Sequence, residues 1–481
     1  MNSRKTISVT VGVLLVMLGV GHRPLSAATP LRPNFLFIFG EGQGWASTSI
    51  QMDDTLPASK GEIVRTPNLE RIAAQGMRFA NAYAPSPRCT PSRASVFTGK
   101  SPAQLRMTFV NEGRGDSGSS AGARVNTPRP VMEMPAGEVL IGGLLKRAGY
   151  ATAHFGKWHV GRVSPKEHGY DETDGANNNG GPENVEIPNP KQAFAITRLG
   201  MDFMTRQVKA GKPFYLQVCH YAGRGLEGAL KETLASVTQR AGARGGNAGR
   251  DKGLVDIAVM EDMDTTVGML LAKLNELGIA DRTYVIYMPD HGTQGRNGPL
   301  TGGKGGVWDG GIRVPLLIAG PGILPGACSH VRVTGTDLFP TIAELAGVRE
   351  LPRGVEGGSL VPLLAGDGKG GVKRPREEFV VHFPHYDKDA DGPASAILLD
   401  NFKLMRIYET GARRLFDLSK DIGERNDLAK QMPDKTAELD RRLANYLTAI
   451  GAQMPTVNAN LPAAQRSLEK KGGQKKKKDR N

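Results

Sequence analysis

Cys89-Thr90-Pro91-Ser92-Arg93 lies between Ala84-Pro85-Ser86-Pro87-Arg88 and Ala94-Ser95, and cysteine is scarce in this chain, with 3 in 481 residues. The stretch reads as a helix start. Thr90 suits the N-cap, and Pro91 suits the first helical position, where a missing N–H is no loss. Ala94-Ser95-Val96-Phe97-Thr98-Gly99 can continue the turn. Cys89 is then expected just ahead of a positive helix end, where free backbone N–H groups attract an anion, and Arg93 adds a guanidinium fork one turn on. Taken alone, such a thiol reads as a buried structural cysteine or as a low-pKa nucleophile.

Outward from this stretch, apolar runs alternate with helical patterns, the signature of a parallel sheet with crossover helices. Strands are expected over Phe35–Phe39, Ala151–Phe155, Phe214–His220, Thr283–Met288 and Pro315–Ala319. Several are apolar throughout, as strands covered on both faces are. Helices are expected over Asn68–Gln75, Val139–Ala148, Asp256–Leu277 and Asp337–Ala346. Arg106–Glu133 and Gln239–Lys252 are rich in Gly, Ser, Arg and Asn and read as loops. Gly366–Arg376 reads as a Gly/Lys-rich linker. Beyond it, Phe379–Val381, Ala396–Leu399, Lys403–Ile407 and Arg414–Asp417 read as short antiparallel strands, and Asp434–Ala449 as a helix.

Chemistry-bearing residues sit just past these strands. Glu41 follows the first, Lys157 and His159 the second, Arg224 the third, and Asp290-His291 the fourth. Open parallel sheets bind ligands beyond the carboxyl ends of their strands, so these positions are expected to share one edge.

Cys-x-Pro-Ser-Arg resembles the maturation signature of the type I sulfatases of the alkaline phosphatase superfamily, in which the cysteine is oxidised to formylglycine. The resemblance extends along the chain, in the family's order, through Asn34-Phe35-Leu36-Phe37-Ile38, Thr66-Pro67-Asn68-Leu69, Gly76-Met77-Arg78-Phe79 and Gly156-Lys157-Trp158-His159-Val160-Gly161. It continues through Asp309-Gly310-Gly311-Ile312-Arg313-Val314-Pro315, Leu415-Phe416-Asp417-Leu418 and Glu424-Arg425-Asn426-Asp427-Leu428. It implies an α/β fold: a large, mostly parallel sheet flanked by helices, with a smaller C-terminal antiparallel sheet and helix. The expected domains are a catalytic α/β domain over 32–365 and a C-terminal α+β subdomain over 376–455.

The resemblance also implies roles. Cys89, as hydrated formylglycine, is the nucleophile. Glu41, Asp290 and His291 hold one divalent cation, Ca²⁺ being the family's usual metal. Arg93, Lys157 and Lys304 surround the sulfate, and His159 lies beside one hydroxyl of the gem-diol. Two departures stand out. Where the family's first strand usually ends in Asp-Asp, this chain has Glu41-Gly42, so one carboxylate is missing unless Gln43 or water fills in. Where the family usually runs into Ala-Pro-His, this chain has Tyr221-Ala222-Gly223-Arg224. Arginine keeps its proton and is a poor general acid, which makes Arg224 a substrate-binding candidate. His220, inside the strand, reads as a satisfied core histidine. His382-Phe383-Pro384-His385-Tyr386 reads as a substrate contact or a structural turn.

The ends carry much of the charge. Arg4 and Lys5, the apolar run Ile7–Val20 and Leu25-Ser26-Ala27-Ala28 read as a signal peptide over 1–28, so the protein is expected to be exported, with no stable membrane span. Of the net charge of +14, the tail from Arg466 contributes +6 through eight basic and two acidic residues, and Arg4, Lys5 and Arg23 contribute +3. The tail over 466–481 reads as disordered, and nothing interleaves aromatic with basic residues as nucleic-acid grooves do. Cys219 and Cys328 are expected as free thiols. The expected function is hydrolysis of a sulfuric ester in a sulfated polysaccharide or small aryl or alkyl sulfate, after maturation by a formylglycine-generating enzyme. A catalytically weakened homologue that binds sulfated glycan and a phosphoesterase of the same superfamily are the alternatives.

Overall fold

The computed structural model describes residues 32–110, 122–178, 192–221, 228–242, 252–295 and 297–461. The expected signal peptide, the basic tail and Arg224 lie outside them. In chain order the strands are β1 (Asn34–Gly40), β2 (Gly76–Phe79), β3 (Ala82–Tyr83), β4 (Val125–Asn126), β5 (Ala151–Gly156), β6 (Glu172–Thr173), β7 (Phe214–Cys219) and β8 (Thr283–Pro289). They continue with β9 (Leu317–Ala319), β10 (Ala327–Ser329), β11 (Val333–Thr334), β12 (Phe379–Phe383), β13 (Ala394–Leu399), β14 (Phe402–Ile407), β15 (Arg413–Asp417) and β16 (Thr456–Val457).

The large sheet has the order β10-β2-β9-β8-β1-β7-β5-β6. Its centre, β8-β1-β7-β5, is parallel, and β9 runs antiparallel to both β8 and β2. All seven residues of β1 are buried. Phe35, Phe37 and Phe39 join the core on one face, while Leu36 and Ile38 join the core on the other. The two-residue side-chain period of a strand sends them to opposite faces, so a strand covered twice must be apolar at every position. Helices Cys89–Thr98, Ile141–Arg147 and Leu338–Leu345 supply residues to the first core; Pro67–Gln75, Ala193–Lys209 and Lys252–Glu276 supply the second.

The C-terminal sheet, β12-β13-β14-β15, is wholly antiparallel. One face places Val381, Phe383, Ala396 and Met405 against Val307, Trp308 and Ile312. The other places Val380, Ile397, Leu404 and Leu415 against Leu439, Leu443 and Leu447 of the helix Pro433–Ala449. The sheet therefore backs the loop that carries Lys304.

Several expectations shift: the helix expected from Asp256 starts at Lys252, that expected from Val139 starts at Ile141, and β4 lies within the segment expected as a loop from Arg106 to Glu133. The strand expected from Pro315 starts at Leu317. Of the segment expected as a loop from Gln239 to Lys252, residues 243–251 lie outside the described residues, while Gln239 and Arg240 end helix Lys231–Arg240 and Lys252 belongs to helix Lys252–Glu276. The Gly/Lys-rich Gly366–Arg376 stretch is tied down rather than free: Arg374 pairs with Asp337 at 2.6 Å, and Ser329 Oγ donates to the Gly368 carbonyl at 2.6 Å.

Candidate active site

Helix Cys89–Thr98 is buried at all ten positions. It begins two residues earlier than its sequence suggests. Arg88, not Thr90, is the N-cap, with extended φ −140° and ψ 155°, and its carbonyl accepts from the Ser92 N–H at 3.1 Å. Pro91 is accommodated because first-turn N–H groups lack helical acceptors in any case. Cys89 is thus the first helical residue rather than the one ahead of the helix, still at the positive end.

The strand ends converge on its sulfur. Cys89 Sγ lies 3.1 Å from Glu41 Oε1, 3.2 Å from His291 Nε2 and 3.5 Å from Lys304 Nζ. Glu41 Oε2 accepts from Lys157 Nζ at 2.7 Å and from Arg93 at 3.3 Å, and Glu41 Oε1 accepts from Lys304 at 3.2 Å. Asp290 Oδ2 accepts from Arg93 Nε at 2.9 Å, and Arg93 Nη1 donates to the Lys157 carbonyl at 2.8 Å. His291 Nε2 stands 3.3 Å from Asp290 and 3.5 Å from Glu41. Ligand atoms of Glu41, Cys89, Asp290 and His291 all lie within 4.8 Å of one another. His159 is buried, in the left-handed region at φ 59°, and its N–H donates to the Asn177 carbonyl at 3.1 Å.

Burial sets the electrostatics. Burial and the Glu41 charge push the Cys89 thiol up, but Lys157, Lys304 and His291 outweigh them and hold it well below its ordinary range. Burial likewise opposes Glu41 ionisation, yet Lys157, Lys304 and His291 keep it a carboxylate. Asp290 is pushed up to about 7 by burial and by Glu41, against the pull of His291 and Arg93. In His291, burial is outweighed by Asp290 and Cys89, which raise it to about 9. The site is a closely balanced cluster of buried charges, and removing one partner strands another.

Gln43 does not fill the gap at Gly42. Its side-chain oxygen accepts from Tyr287 Oη at 2.5 Å, and Tyr287 belongs to the core opposite the face that carries the Cys89 helix. Gly42 contributes its N–H to Asp290 Oδ1 at 3.1 Å. His220 is buried, with Nε2 3.0 Å from Thr266 Oγ1. His382 and His385 are internal as well. His382 bonds Ser395 at 2.6 Å and the Gln453 carbonyl at 2.9 Å, and His385 bonds Thr108 at 2.8 Å, which makes that turn structural. The same turn nevertheless reaches the site through a residue the sequence did not single out. Asp387 pairs with Arg88, the N-cap beside Cys89, with Nη2–Oδ1 at 3.0 Å. Its carboxylate also packs on Gly305, where an added Cβ would come within 2.5 Å of it, and the Gly305 N–H donates to the Pro87 carbonyl at 3.1 Å. The only sequence signal for Asp387 was its place two residues after His385.

A second buried network was equally invisible. Lys403 Nζ bonds Asp309 at 2.7 Å and Glu424 at 2.6 Å, and Arg313 Nε bonds Asp309 at 2.9 Å. It ties the Asp309-Gly310-Gly311 turn to the C-terminal sheet.

The sequence model of the Sulfatase family matches residues 33–348. N-acetylgalactosamine-6-sulfatase of Mus musculus is 31% identical over 73% of this chain and 69% of its own length. Arylsulfatase A of Homo sapiens is 27% identical over 92% and 91%. Among solved structures, that of Ps i-CgsB in complex with k-i-k-neocarrahexaose superposes with a TM-score of 0.69 at 21% identity, covering 86% of this chain and 93% of that one. Fold and sequence together define an α/β hydrolase with a large, mostly parallel sheet and a small C-terminal antiparallel sheet. The chain belongs to the sulfatase family and is a sulfuric ester hydrolase.

Proposed function

We propose that the protein removes sulfate from a sulfated carbohydrate, with Cys89, matured to formylglycine, as nucleophile and Ca²⁺ as the cation. The observation that carries this reading is the Cys89 sulfur, within 3.5 Å of Glu41, His291 and Lys304 at a helix start. The names of similar proteins support the substrate class: one is an N-acetylgalactosamine-6-sulfatase, another was solved with a neocarrahexaose.

The donor set fits a hard cation. Two carboxylates, Glu41 and Asp290, converge with His291 at the strand ends, and carboxylate oxygens suit Ca²⁺. A bound Ca²⁺ supplies charge neutralisation at the sulfate oxygens. Formylglycine, when hydrated, supplies two hydroxyls on one carbon, one to attack sulfur and one whose deprotonation lets sulfate leave. The chain's own residues do the rest. Arg93, Lys157 and Lys304 hold the sulfate by charge and keep it in line with residue 89. Their ties to Glu41 and Asp290 fix them before substrate arrives. His159 takes the proton from the second hydroxyl. Arg224 binds sulfate or a neighbouring anion on the substrate, because it cannot serve as the acid.

The deciding experiment is peptide mass spectrometry of protein co-expressed with a formylglycine-generating enzyme, together with turnover of an aryl sulfate. Formylglycine at position 89 should accompany activity, and Cys89→Ala should abolish it. Full activity with an unmodified cysteine overturns the mechanism. Hydrolysis of a phosphodiester in preference to a sulfate ester overturns the substrate class.

A further inference from the structure

A second group of metal-ligating side chains lies away from the catalytic cluster: Asp54, Cys328 and His330, whose ligand atoms come within 4.8 Å of one another. Cys328 belongs to β10, the edge strand of the large sheet, and His330 follows it. The two-residue period of a strand puts both on one side. His330 Nε2 lies 2.8 Å from Asp54 Oδ1 and 3.9 Å from Cys328 Sγ, and the sulfur is 3.8 Å from the Met52 carbonyl.

Both sides of the group are held by the fold. β10 pairs with β2, and the His330 carbonyl accepts from Asn81 Nδ2 at 2.7 Å. Asp54 is presented by a turn in which Asp53 Oδ1 accepts from the Thr55 N–H at 2.8 Å and the Thr55 hydroxyl at 2.6 Å, while the Asp53 N–H donates to Ser59 Oγ at 3.0 Å. The side chains of His330 and Asp54 are 46% and 49% exposed, so an ion can enter from solvent.

We propose that Asp54, Cys328 and His330 form a site for a soft or borderline divalent transition metal, Zn²⁺ foremost, separate from the hard-cation position at Asp290. One thiolate, one imidazole and one carboxylate are a donor set that zinc takes tetrahedrally, with water in the fourth position. Calcium avoids sulfur, so the two sites differ in the metal they select. The separations of 2.8 and 3.9 Å straddle this geometry, since ligands about 2.0–2.3 Å from a tetrahedral zinc lie roughly 3.2–3.8 Å from each other. Binding requires that the His330–Asp54 hydrogen bond open, and the His330–Cys328 separation close, by a few tenths of an ångström each. The bound ion would pin the loop that follows β1 and Glu41 to the edge of the sheet.

Cobalt is the probe, because thiolate-bound Co²⁺ gives a charge-transfer band in the near ultraviolet that carboxylate and imidazole ligands do not. The full-length protein carrying Cys89→Ala, which removes the active-site thiol, is stripped of metal, reduced and titrated. A band that saturates at a single equivalent of micromolar Co²⁺, that Zn²⁺ bleaches and excess Ca²⁺ does not, is expected. Cys328→Ser should abolish the band, and His330→Ala should weaken binding by at least the roughly 10–100-fold that loss of even an outer-shell partner brings. Thermal unfolding of each variant without metal checks that the fold is kept. No band, a band that survives Cys328→Ser, unaltered affinity in His330→Ala, or saturation only at millimolar Co²⁺ overturns the proposal.

Discussion

Glu41 and Lys157 meet across an intervening strand. Glu41 follows β1 and Lys157 follows β5, with β7 between them, yet Lys157 Nζ lies 2.7 Å from Glu41 Oε2 with both side chains buried. Strands are spaced about 4.8 Å apart, so the pair bridges roughly 10 Å of sheet edge, and two long side chains are what that span requires. Arg93, from the helix above, bonds the Lys157 carbonyl and both acids, which locks the bridge in place. The site is built from charges that hold one another before any substrate binds.

The Glu41-Gly42 pair should make calcium binding weaker than a full acidic pair would. Gly42 has φ +63°, and an added Cβ would meet His291 Cε1 at 3.1 Å. Aspartate tolerates the left-handed region, so Gly42→Asp should tighten Ca²⁺ binding, whereas Gly42→Ala, which brings the strain without the charge, should not. Calorimetric titration of the three stripped proteins decides it. Equal loss in both variants would mean that strain outweighs the added carboxylate.

Lys304 should matter for catalysis more than for folding. It touches both the Cys89 sulfur and Glu41. Lys304→Met should lower kcat by about 10²–10³, the usual loss when one preorganised charge donor is removed. Should Lys304 also donate the proton to the leaving alcohol in place of Arg224, its loss will weigh most where the leaving group needs protonation. The loss should then be larger for alkyl than for aryl sulfates. Equal losses for both substrates would restrict Lys304 to binding sulfate.

Lys403→Met should destabilise the fold without touching the site. It would leave Asp309 and Glu424 buried together without their shared cation, and Glu424 is already raised to about 7, by burial first and by Asp309, against Lys403. Breaking a buried pair costs about 3–5 kcal/mol. Denaturant midpoints of wild type and variant measure it. A loss under 1 kcal/mol would show that the network contributes little to stability.

Acid should weaken the fold through its internal histidines. Burial lowers His382 to about 4, and burial with the adjacent His382 charge lowers His385 to about 3. A depressed histidine is neutral when folded and protonated when unfolded between its two pKa values. Its contribution is therefore complete above about pH 6.5 and is lost as pH falls toward 4. The slope is roughly 1.4 kcal/mol per pH unit for each histidine. His382→Gln should flatten the decline in unfolding free energy between pH 6.5 and 4.5. An unchanged slope would place the acid sensitivity elsewhere.

The local signals in the sequence were strong where one element explains itself. The unbroken apolar run of β1, the short apolar runs of β12 to β15 and the Cys89–Arg93 helix start each follow from residues within a few positions, because backbone sterics and burial act locally. The strand-end positions of Glu41, Lys157, Asp290 and His291 were legible for the same reason: an apolar run ends and a charge follows. Tertiary structure alone decided which side chains meet. Gln43 turns to Tyr287 instead of toward Asp290, although it is only two residues from Glu41. His382 and His385 lie inside the protein, while Asp387 beside them reaches Arg88. Lys403 finds Asp309 from 94 residues away, and His330 finds Asp54 from 276. No periodicity records such pairs, because they depend on strand order and on how sheet and loops close over one another, which is settled only when the whole core packs.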